Sequence, residues 1–249
     1  MTDERHGEIA SALTAVQERL GRACVAAGRD PRDVQLLPVT KYFPVSDARI
    51  LYDLGCREFG ESRDQEASAK AADLTGLVAG EHPGGVDDVR WHMIGSVQRK
   101  KARSIVRWAT VVHSVDSEQL VDALSRAAAA ALDAGERATP LQVLLQVSLD
   151  DDPKRGGVPL PELPALCEHA AAADGLEFAG LMAVPPLGAD PDVAFATLAA
   201  THRDVLRDHP DARMLSAGMT ADLESAVRHG STCVRVGTAL LGSRPLASE

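Results

Sequence analysis

The strongest constraint on the fold is a regular alternation of short apolar runs with longer amphipathic stretches. An apolar run stopped by glycine, proline or charge is typical of a buried strand, and apolar residues at steps of three and four are typical of a helix. One amphipathic stretch, residues 3–27, precedes the first strand. About eight strand–helix pairs then follow: Val34–Thr40 with Ser46–Gly55, Arg57–Gly60 with Ser62–Leu74, Trp91–Gly95 with Val97–Trp108, Val111–Val115 with Ser117–Ala134, Leu141–Ser148 with Leu160–Ala173, Glu177–Val184 with Asp192–Arg207, Arg213–Ala217 with Thr220–His229, and Cys233–Gly237 with a short terminal helix.

Alternating strands and helices predict an α/β fold with a parallel sheet. The 249 residues fit two small domains or one (β/α)8 TIM barrel, which typically needs roughly 250 residues. Eight units favour the barrel; an open doubly wound sheet is the alternative, but no GxGxxG follows the first strand. No linker divides the chain, so we predict a single domain, residues 1–249, with an extra N-terminal helix and a surface insertion at residues 75–90.

Composition excludes several classes of function. Asp and Glu number 36 against 26 Lys and Arg, giving a formal charge of −10, and 3% of residues are aromatic, which disfavours nucleic-acid binding. No apolar run approaches the length of about 18 residues typical of a membrane span, and the N-terminus lacks a secretory signal, so we expect a cytoplasmic protein with no membrane partner. The four cysteines are widely separated, which predicts neither disulfides nor a metal site.

In a barrel, Lys41 would lie at the mouth, the end where the strands have their C-termini. Leu37, Val39 and Lys41 share a parity, so the lysine ends an inward-facing apolar column at the C-terminal end of the first strand. Partial burial would lower the pKa of the ammonium and make the amine nucleophilic toward an aldehyde. The alternative is a lysine that extends its ammonium into solvent.

Arg235 lies inside the last predicted strand. It shares the parity of Cys233 and Gly237, so it points into the barrel if that face is the interior one. A buried arginine has a large desolvation cost and must be paired. Either a ligand contact or a structural ion pair satisfies that requirement.

Two small-residue turns, Ser216–Thr220 and Gly237–Gly242, follow the last two strands and lead into helices. In barrels this is the usual phosphate site, since backbone amides and a helix N-terminus attract anions. With a lysine at the first strand and an arginine in the eighth, the set suits an aldehyde that carries a phosphate. Pyridoxal 5′-phosphate (PLP) has both groups.

These residues also carry a family resemblance over nearly the whole chain. The chain resembles the pyridoxal phosphate homeostasis proteins, single-domain relatives of the alanine racemase N-terminal barrel. The matching motifs are Val39-Thr40-Lys41, Phe59-Gly60-Glu61 with Gln65-Glu66, Trp91-His92-Met93-Ile94-Gly95 with Gln98 and Lys101, His113-Ser114-Val115-Asp116, Lys154 and Gly156, Gly180-Leu181-Met182-Ala183, Ser216 with Gly218-Met219, and Val234-Arg235-Val236-Gly237-Thr238.

The resemblance implies a role for each site residue. Lys41 would hold PLP as a covalent internal aldimine, a reversible Schiff base, and Arg235 would face the pyridine nitrogen. The phosphate would be bound by Ser216, Gly218, Met219, Thr220, Gly237 and Thr238. His92 would pack behind the cofactor or serve as a satisfied core histidine. Ser62, followed by Arg63, replaces an asparagine and a tyrosine common in the family, and it would contact the cofactor by a shorter reach or through water.

The resemblance favours a PLP carrier over an enzyme. Racemases of this barrel class take a second base, a tyrosine, from an all-β domain for which this chain has no room, and its own tyrosines are Tyr42 and Tyr52. We therefore expect a monomer that serves vitamin B6 and amino-acid homeostasis without substantial turnover, its partners being PLP and PLP-dependent apoenzymes. The alternatives are a weak PLP-dependent amino-acid racemase or Schiff-base lyase, and a scaffold with a vestigial site.

Overall fold

The computed structural model describes residues 3–79, 89–150, 152 and 155–243. In these residues eight parallel strands alternate with helices. The strands are β1 Gln35–Pro38, β2 Glu58–Glu61, β3 Arg90–Met93, β4 Val111–Val115, β5 Leu141–Gln146, β6 Leu176–Met182, β7 Met214–Ser216 and β8 Cys233–Val236. The helices are α1 Asp3–Ala26, α2 Val45–Asp53, α3 Asp64–Val78, α4 Ala102–Val106, α5 Glu118–Asp133, α6 Leu163–Ala171, α7 Pro191–Asp208, α8 Leu223–Arg228 and α9 Thr238–Leu241.

The eight strands form one sheet in the order β1-β8-β7-β6-β5-β4-β3-β2, curled into a nearly closed barrel. The prediction of a (β/α)8 barrel with an extra N-terminal helix is confirmed, and the open doubly wound sheet is not found. Where β1 meets β2, the described residues are joined by one backbone bridge, Val39 with Gly60. We call this line the seam. Side chains reinforce it at both ends, because Gln35 bonds to Glu58 and Thr40 bonds to Glu61.

Alternation along each strand separates two cores. Outward-facing apolar residues pack against the helix layer, and neighbours among them also contact each other, as Phe59 of β2 and Trp91 of β3 do with ring centroids 5.2 Å apart. The inward-facing apolar set is smaller and includes Val111, Leu144, Ala179 and Met182. Polar side chains occupy much of the remaining interior, which is unusual for a barrel core that branched apolar residues normally fill.

The predicted N-terminal helix, α1, belongs to the outer layer. Its buried residues recur at steps of three and four, which is the pattern of a helix with one apolar face. Arg5 Nη2 lies 2.6 Å from Asp47 of α2 and 3.1 Å from the carbonyl oxygen of Leu241 in α9. Helix α1 therefore ties α9, the last helix of the described chain, to α2.

Several element boundaries differ from the predictions. The predicted helix Val97–Trp108 is shorter and begins as a 3-10 turn: Arg99–Lys101 leads into the five-residue α4, and Lys101 Nζ reaches Asp64 at 3.3 Å. Helix α3 extends to Val78 into the predicted insertion, of which residues 80–88 lie outside the described residues. No helix in the described part of the chain is long and apolar enough to cross a membrane.

Candidate functional site

Lys41 lies at the corner of a tight turn at the end of β1. The amide of Phe43 donates to the carbonyl oxygen of Thr40 at 3.1 Å, and Tyr42 has a φ of 71°, as the third residue of a type II turn requires. Such a φ costs a non-glycine residue on the order of 1–3 kcal/mol and is characteristic of functional sites. The Lys41 amine lies 5.7 Å from the centre of the Tyr42 ring. Among the described residues it has no hydrogen bond or ion pair.

Thr40, the residue before the lysine, has its amide, hydroxyl and carbonyl groups all hydrogen-bonded. The Thr40 amide donates to Gly60 across the seam at 3.0 Å, and its hydroxyl donates to Glu61 Oε1 at 2.7 Å. The ammonium of Lys70, on α3, donates to the Thr40 carbonyl oxygen at 2.8 Å and also pairs with Glu61. Lys70 and Glu61 are both buried, so this pair holds the base of the Lys41 turn in a water-poor setting.

Ser62 lies at the level of Lys41 on the other side of the seam, because Val39 pairs with Gly60 two residues earlier in each strand. Its backbone packs on Gly95, where a Cβ would come within 2.3 Å of the Ser62 carbonyl oxygen. The guanidinium of Arg63 lies 5.0 Å from the centre of the Tyr42 ring. The two residues that depart from the family pattern thus border the lysine turn.

Arg235 points into the barrel, as its parity predicts, and is 5% exposed. Its Nη1 donates to Ser216 Oγ at 2.6 Å and its Nη2 to the carbonyl oxygen of Ala183 at 3.1 Å. Burial lowers the pKa of the guanidinium, which nevertheless stays charged. Both partners are neutral oxygens. The structural ion pair that the sequence left open is therefore not found within the described residues.

The turn after β7 is shaped by Gly218. It has a φ of 91°, and a Cβ there would come within 2.4 Å of the Ala226 methyl group on α8. Its carbonyl oxygen accepts from the Arg235 amide at 3.0 Å, which links this turn to β8. The Met219 amide donates to Asp222, whereas the amides of Gly218 and Thr220 find no acceptor in the described chain. Met219 itself is 40% exposed.

The turn after β8 is the start of α9. A Cβ at Gly237 would lie 3.3 Å from the carbonyl oxygen of Val39, so this turn directly adjoins the strand that ends at Lys41. The amides of Gly237, Thr238 and Ala239 have no acceptor among the described residues. Together with the β7 turn they provide unpaired donors of the kind that hold a phosphate.

The donor set fits the cofactor expected from the sequence. Within the described ranges, the Lys41 amine has no ion pair, the Arg235 guanidinium has no carboxylate partner, and the two adjoining turns have unpaired amides. These groups match an aldehyde, a ring nitrogen and a phosphate. Lys41, Arg235, Gly218 and Gly237 are brought to one end of the barrel by the β1–β8 and β7–β8 pairings. Lys154 lies outside the described residues.

His92 is fully buried and does not adjoin Arg235. Its Nε2 lies 2.6 Å from Glu58 Oε2 and its Nδ1 lies 2.9 Å from His113 Nε2, so both ring nitrogens are satisfied. Sequence reasoning gave no role to Glu58 or His113. The available signal was parity, since His113 shares the inward face of β4 with Val111, and His92 shares its face of β3 with Arg90.

Comparison with known proteins gives a consistent result. The family model described as alanine racemase, N-terminal domain, matches residues 13–245. The chain is 52% identical over 248 residues to the pyridoxal phosphate homeostasis protein of Mycobacterium leprae, covering 98% of this chain and 96% of that protein.

Solved structures agree in fold. An unknown protein from Bifidobacterium adolescentis matches with a TM-score of 0.86 at 30% identity, over 96% of this chain and 97% of that one. PipY of Synechococcus elongatus with PLP bound matches with a TM-score of 0.74 at 34% identity, over 94% of this chain and 100% of that one.

Proposed function

Because the chain belongs to the pyridoxal phosphate homeostasis proteins, within the alanine racemase N-terminal domain family, we propose that it binds PLP reversibly on Lys41 and serves vitamin B6 and amino-acid homeostasis. The aldehyde of PLP condenses with the Lys41 amine and releases one water, and hydrolysis reverses the bond. The observation that carries the proposal is the buried Arg235 guanidinium, whose hydrogen-bond partners in the described part of the chain are neutral and which lies at the same barrel end as the Lys41 turn.

Each residue has a proposed part. Lys41 forms the bond, and the Thr40 contacts to Glu61 and Lys70 hold its turn. Arg235 faces the pyridine nitrogen, and Ser62 borders the ring at the lysine's level. The phosphate lies between the two small-residue turns, bordered by Ser216, Gly218, Met219, Thr220, Gly237 and Thr238.

We propose that turnover is slight and that a single copy of the chain passes PLP to apoenzymes. Tyr52 is 1% exposed within α2, where Arg57 covers its ring at 4.1 Å, so it does not reach the barrel interior. A cationic guanidinium opposite the ring nitrogen keeps that nitrogen unprotonated, which weakens the ring as an electron sink.

The test is an absorption spectrum of the purified protein with added PLP, followed by borohydride reduction and peptide mapping. Wild type should show a visible imine band and a reduced adduct on Lys41, and Lys41→Ala should show neither. Lys101→Ala is the matched control and should retain both, because Lys101 is paired with Asp64. Absence of band and adduct in the folded wild type would refute the proposal.

A weak racemase is the second candidate, and Tyr42 is the observation in its favour. Its ring centre lies 5.7 Å from the Lys41 amine, so a tyrosine borders the same turn as the proposed cofactor lysine. We would follow D-alanine formation from L-alanine with PLP. Activity above free PLP that falls in both Lys41→Ala and Tyr42→Phe would favour the racemase, and activity equal to free PLP would favour the carrier.

A further inference from the structure

Five polar side chains form an unbroken series of hydrogen bonds inside the barrel, which we call the interior relay. Glu58 Oε2 lies 2.6 Å from His92 Nε2, and His92 Nδ1 lies 2.9 Å from His113 Nε2. His113 Nδ1 lies 2.9 Å from Ser216 Oγ, which lies 2.6 Å from Arg235 Nη1. The relay runs from Glu58, the first residue of β2, to the arginine at the cofactor end.

The relay can carry its protons in only two arrangements. Arginine is solely a donor, so Ser216 Oγ accepts from Arg235 in both. A neutral imidazole donates at one nitrogen and accepts at the other, and burial lowers the pKa of both His92 and His113, which favours their neutral forms. In the first arrangement Glu58 is ionised, and each hydrogen bond of the relay donates toward it. In the second Glu58 is protonated, and the hydrogen bonds from Glu58 to Ser216 all donate away from it.

The surroundings of Glu58 select the first arrangement. Gln35 Nε2 donates to Glu58 Oε2 at 2.6 Å, and Arg90 Nη1 lies 3.6 Å from Oε1. Burial by itself raises the pKa of Glu58, but hydrogen bonds from His92 and Gln35 and the charges nearby lower it overall. An ionised carboxylate only accepts, so His92 must donate from Nε2.

The rest of the relay follows from that one bond. His92 Nδ1 accepts from His113 Nε2, and His113 Nδ1 accepts the hydroxyl hydrogen of Ser216. Two further groups face this part of the relay. The Cys233 thiol, whose pKa burial raises to about 12, is neutral, and the charge of Asp222 acts on Arg235. The Cys233 thiol also contacts the Ser216 hydroxyl, but a neutral sulfur is a weaker acceptor than an imidazole nitrogen, so Ser216 donates to His113.

We propose that Glu58 is a positioning residue that sets the direction of the hydrogen bonds in the interior relay. As a result, the Ser216 oxygen accepts from Arg235, and the ligand phosphate is bound by donors other than Ser216. The hydroxyl hydrogen of Ser216 is committed to His113, and its oxygen receives Arg235. The phosphate is then held by the amides of the two turns and the hydroxyls of Thr220 and Thr238. The identity of the ligand, but not the direction of the relay, rests on the proposed function.

The first test needs no ligand. Nitrogen-15 NMR of histidine-labelled protein between pH 6.5 and 8 should show hydrogen on Nε2 of both His92 and His113. In Glu58→Leu the acceptor is gone, and both rings should change to hydrogen on Nδ1. Gln35→Leu keeps the carboxylate and should keep both rings unchanged. Hydrogen on Nδ1 in wild type, or no change in Glu58→Leu, would overturn the proposal.

The second test compares PLP with pyridoxal, which lacks the phosphate. Ser216→Ala should weaken both ligands by the same factor, about tenfold, as expected for loss of one hydrogen bond to a charged group. Thr238→Val should weaken PLP alone. Weakening of PLP alone by Ser216→Ala would contradict the assignment.

If Ser216→Ala does not fold, Glu58→Leu makes the same comparison, because Glu58 is partly exposed at the far end of the barrel. The freed Ser216 hydroxyl should then raise the affinity for PLP relative to pyridoxal, and an unchanged ratio would count against the proposal. A wild type that binds neither ligand would refute the proposed function, while the histidine tautomers would still decide the relay.

Discussion

The Glu61–Lys70 pair shows how a buried charge can serve a neighbouring residue. Glu61 is 0% exposed. Its Oε1 accepts a hydrogen bond from the Thr40 hydroxyl and pairs with the Lys70 ammonium, whereas its Oε2 has no partner in the described chain. A buried ion pair adds little net stability compared with an apolar pair, so its value here is the fixed position of the Thr40 carbonyl group.

We predict that Lys70→Met lowers the free energy of unfolding by about 3–5 kcal/mol, because it leaves the Glu61 carboxylate buried and unpaired. Urea denaturation would measure the loss. The double variant Lys70→Met/Glu61→Leu should recover most of it. Lys101→Met removes a partly exposed partner of Asp64 and should cost about 1 kcal/mol or less. Equal losses in the two single variants would contradict this account.

At the scale of elements, α1 supports the turn after β7 from outside the barrel. Arg19 Nη1 donates to the carbonyl oxygen of Thr220 at 2.7 Å, and its other nitrogens lie 2.6 Å from both oxygens of Glu224 on α8. The helix that precedes the barrel in sequence thus holds the loop after its seventh strand.

We predict that Arg19→Met weakens PLP binding about three- to tenfold and leaves pyridoxal binding unchanged, because the β7 turn loses its outer tether. Titration with the two ligands would measure this. Arg22→Met is a matched control on the same helix, since Arg22 is 71% exposed and lies 3.7 Å from Glu18. Equal weakening of both ligands would show that α1 acts on the whole site instead of the phosphate end.

At the scale of the whole molecule, buried neutral histidines make the fold sensitive to acid. Burial lowers the pKa of His92, His113 and His202 in the folded protein, whereas an unfolded histidine titrates near pH 6.5. Below about pH 6.5 the unfolded chain therefore binds more protons than the folded one, and stability falls as pH falls.

We predict that the free energy of unfolding decreases from pH 7.5 to pH 5, with a slope approaching about 1.4 kcal/mol per pH unit for each such histidine. Urea denaturation at several pH values would give the slope. His202→Gln should reduce the slope by the contribution of one histidine. His202 lies outside the relay and bonds to the Ala212 carbonyl oxygen, so its contribution is independent of the other two. A flat profile would mean that the folded protein binds protons at these rings as readily as the unfolded chain does, and would contradict the lowered pKa values.

Much of the fold was accessible from the sequence because it depends on local pattern. Eight strand–helix periods give the barrel, and parity gives the inward direction of Arg235. The partners of Arg235 could not be predicted in the same way. Ser216 and His113 are brought to it by strands far apart in sequence, and the Lys41 turn depends on Lys70 reaching back from α3. Proximity of this kind is set by closure of the barrel.

The seam between β1 and β2 also has a consequence for the proposed release of PLP. Just before Lys41 and Ser62 the described residues of β1 and β2 are joined by the Val39–Gly60 bridge, and the Thr40 amide bonds to Gly60 across that line. Under the proposed function, release of PLP from Lys41 consumes one water, which must reach the lysine turn beside the seam. Deuterium exchange at the Thr40 amide would report opening of the seam, and we expect it to keep pace with PLP release. A seam that opens less often should slow PLP release, so the protein would retain PLP longer and transfer it more slowly.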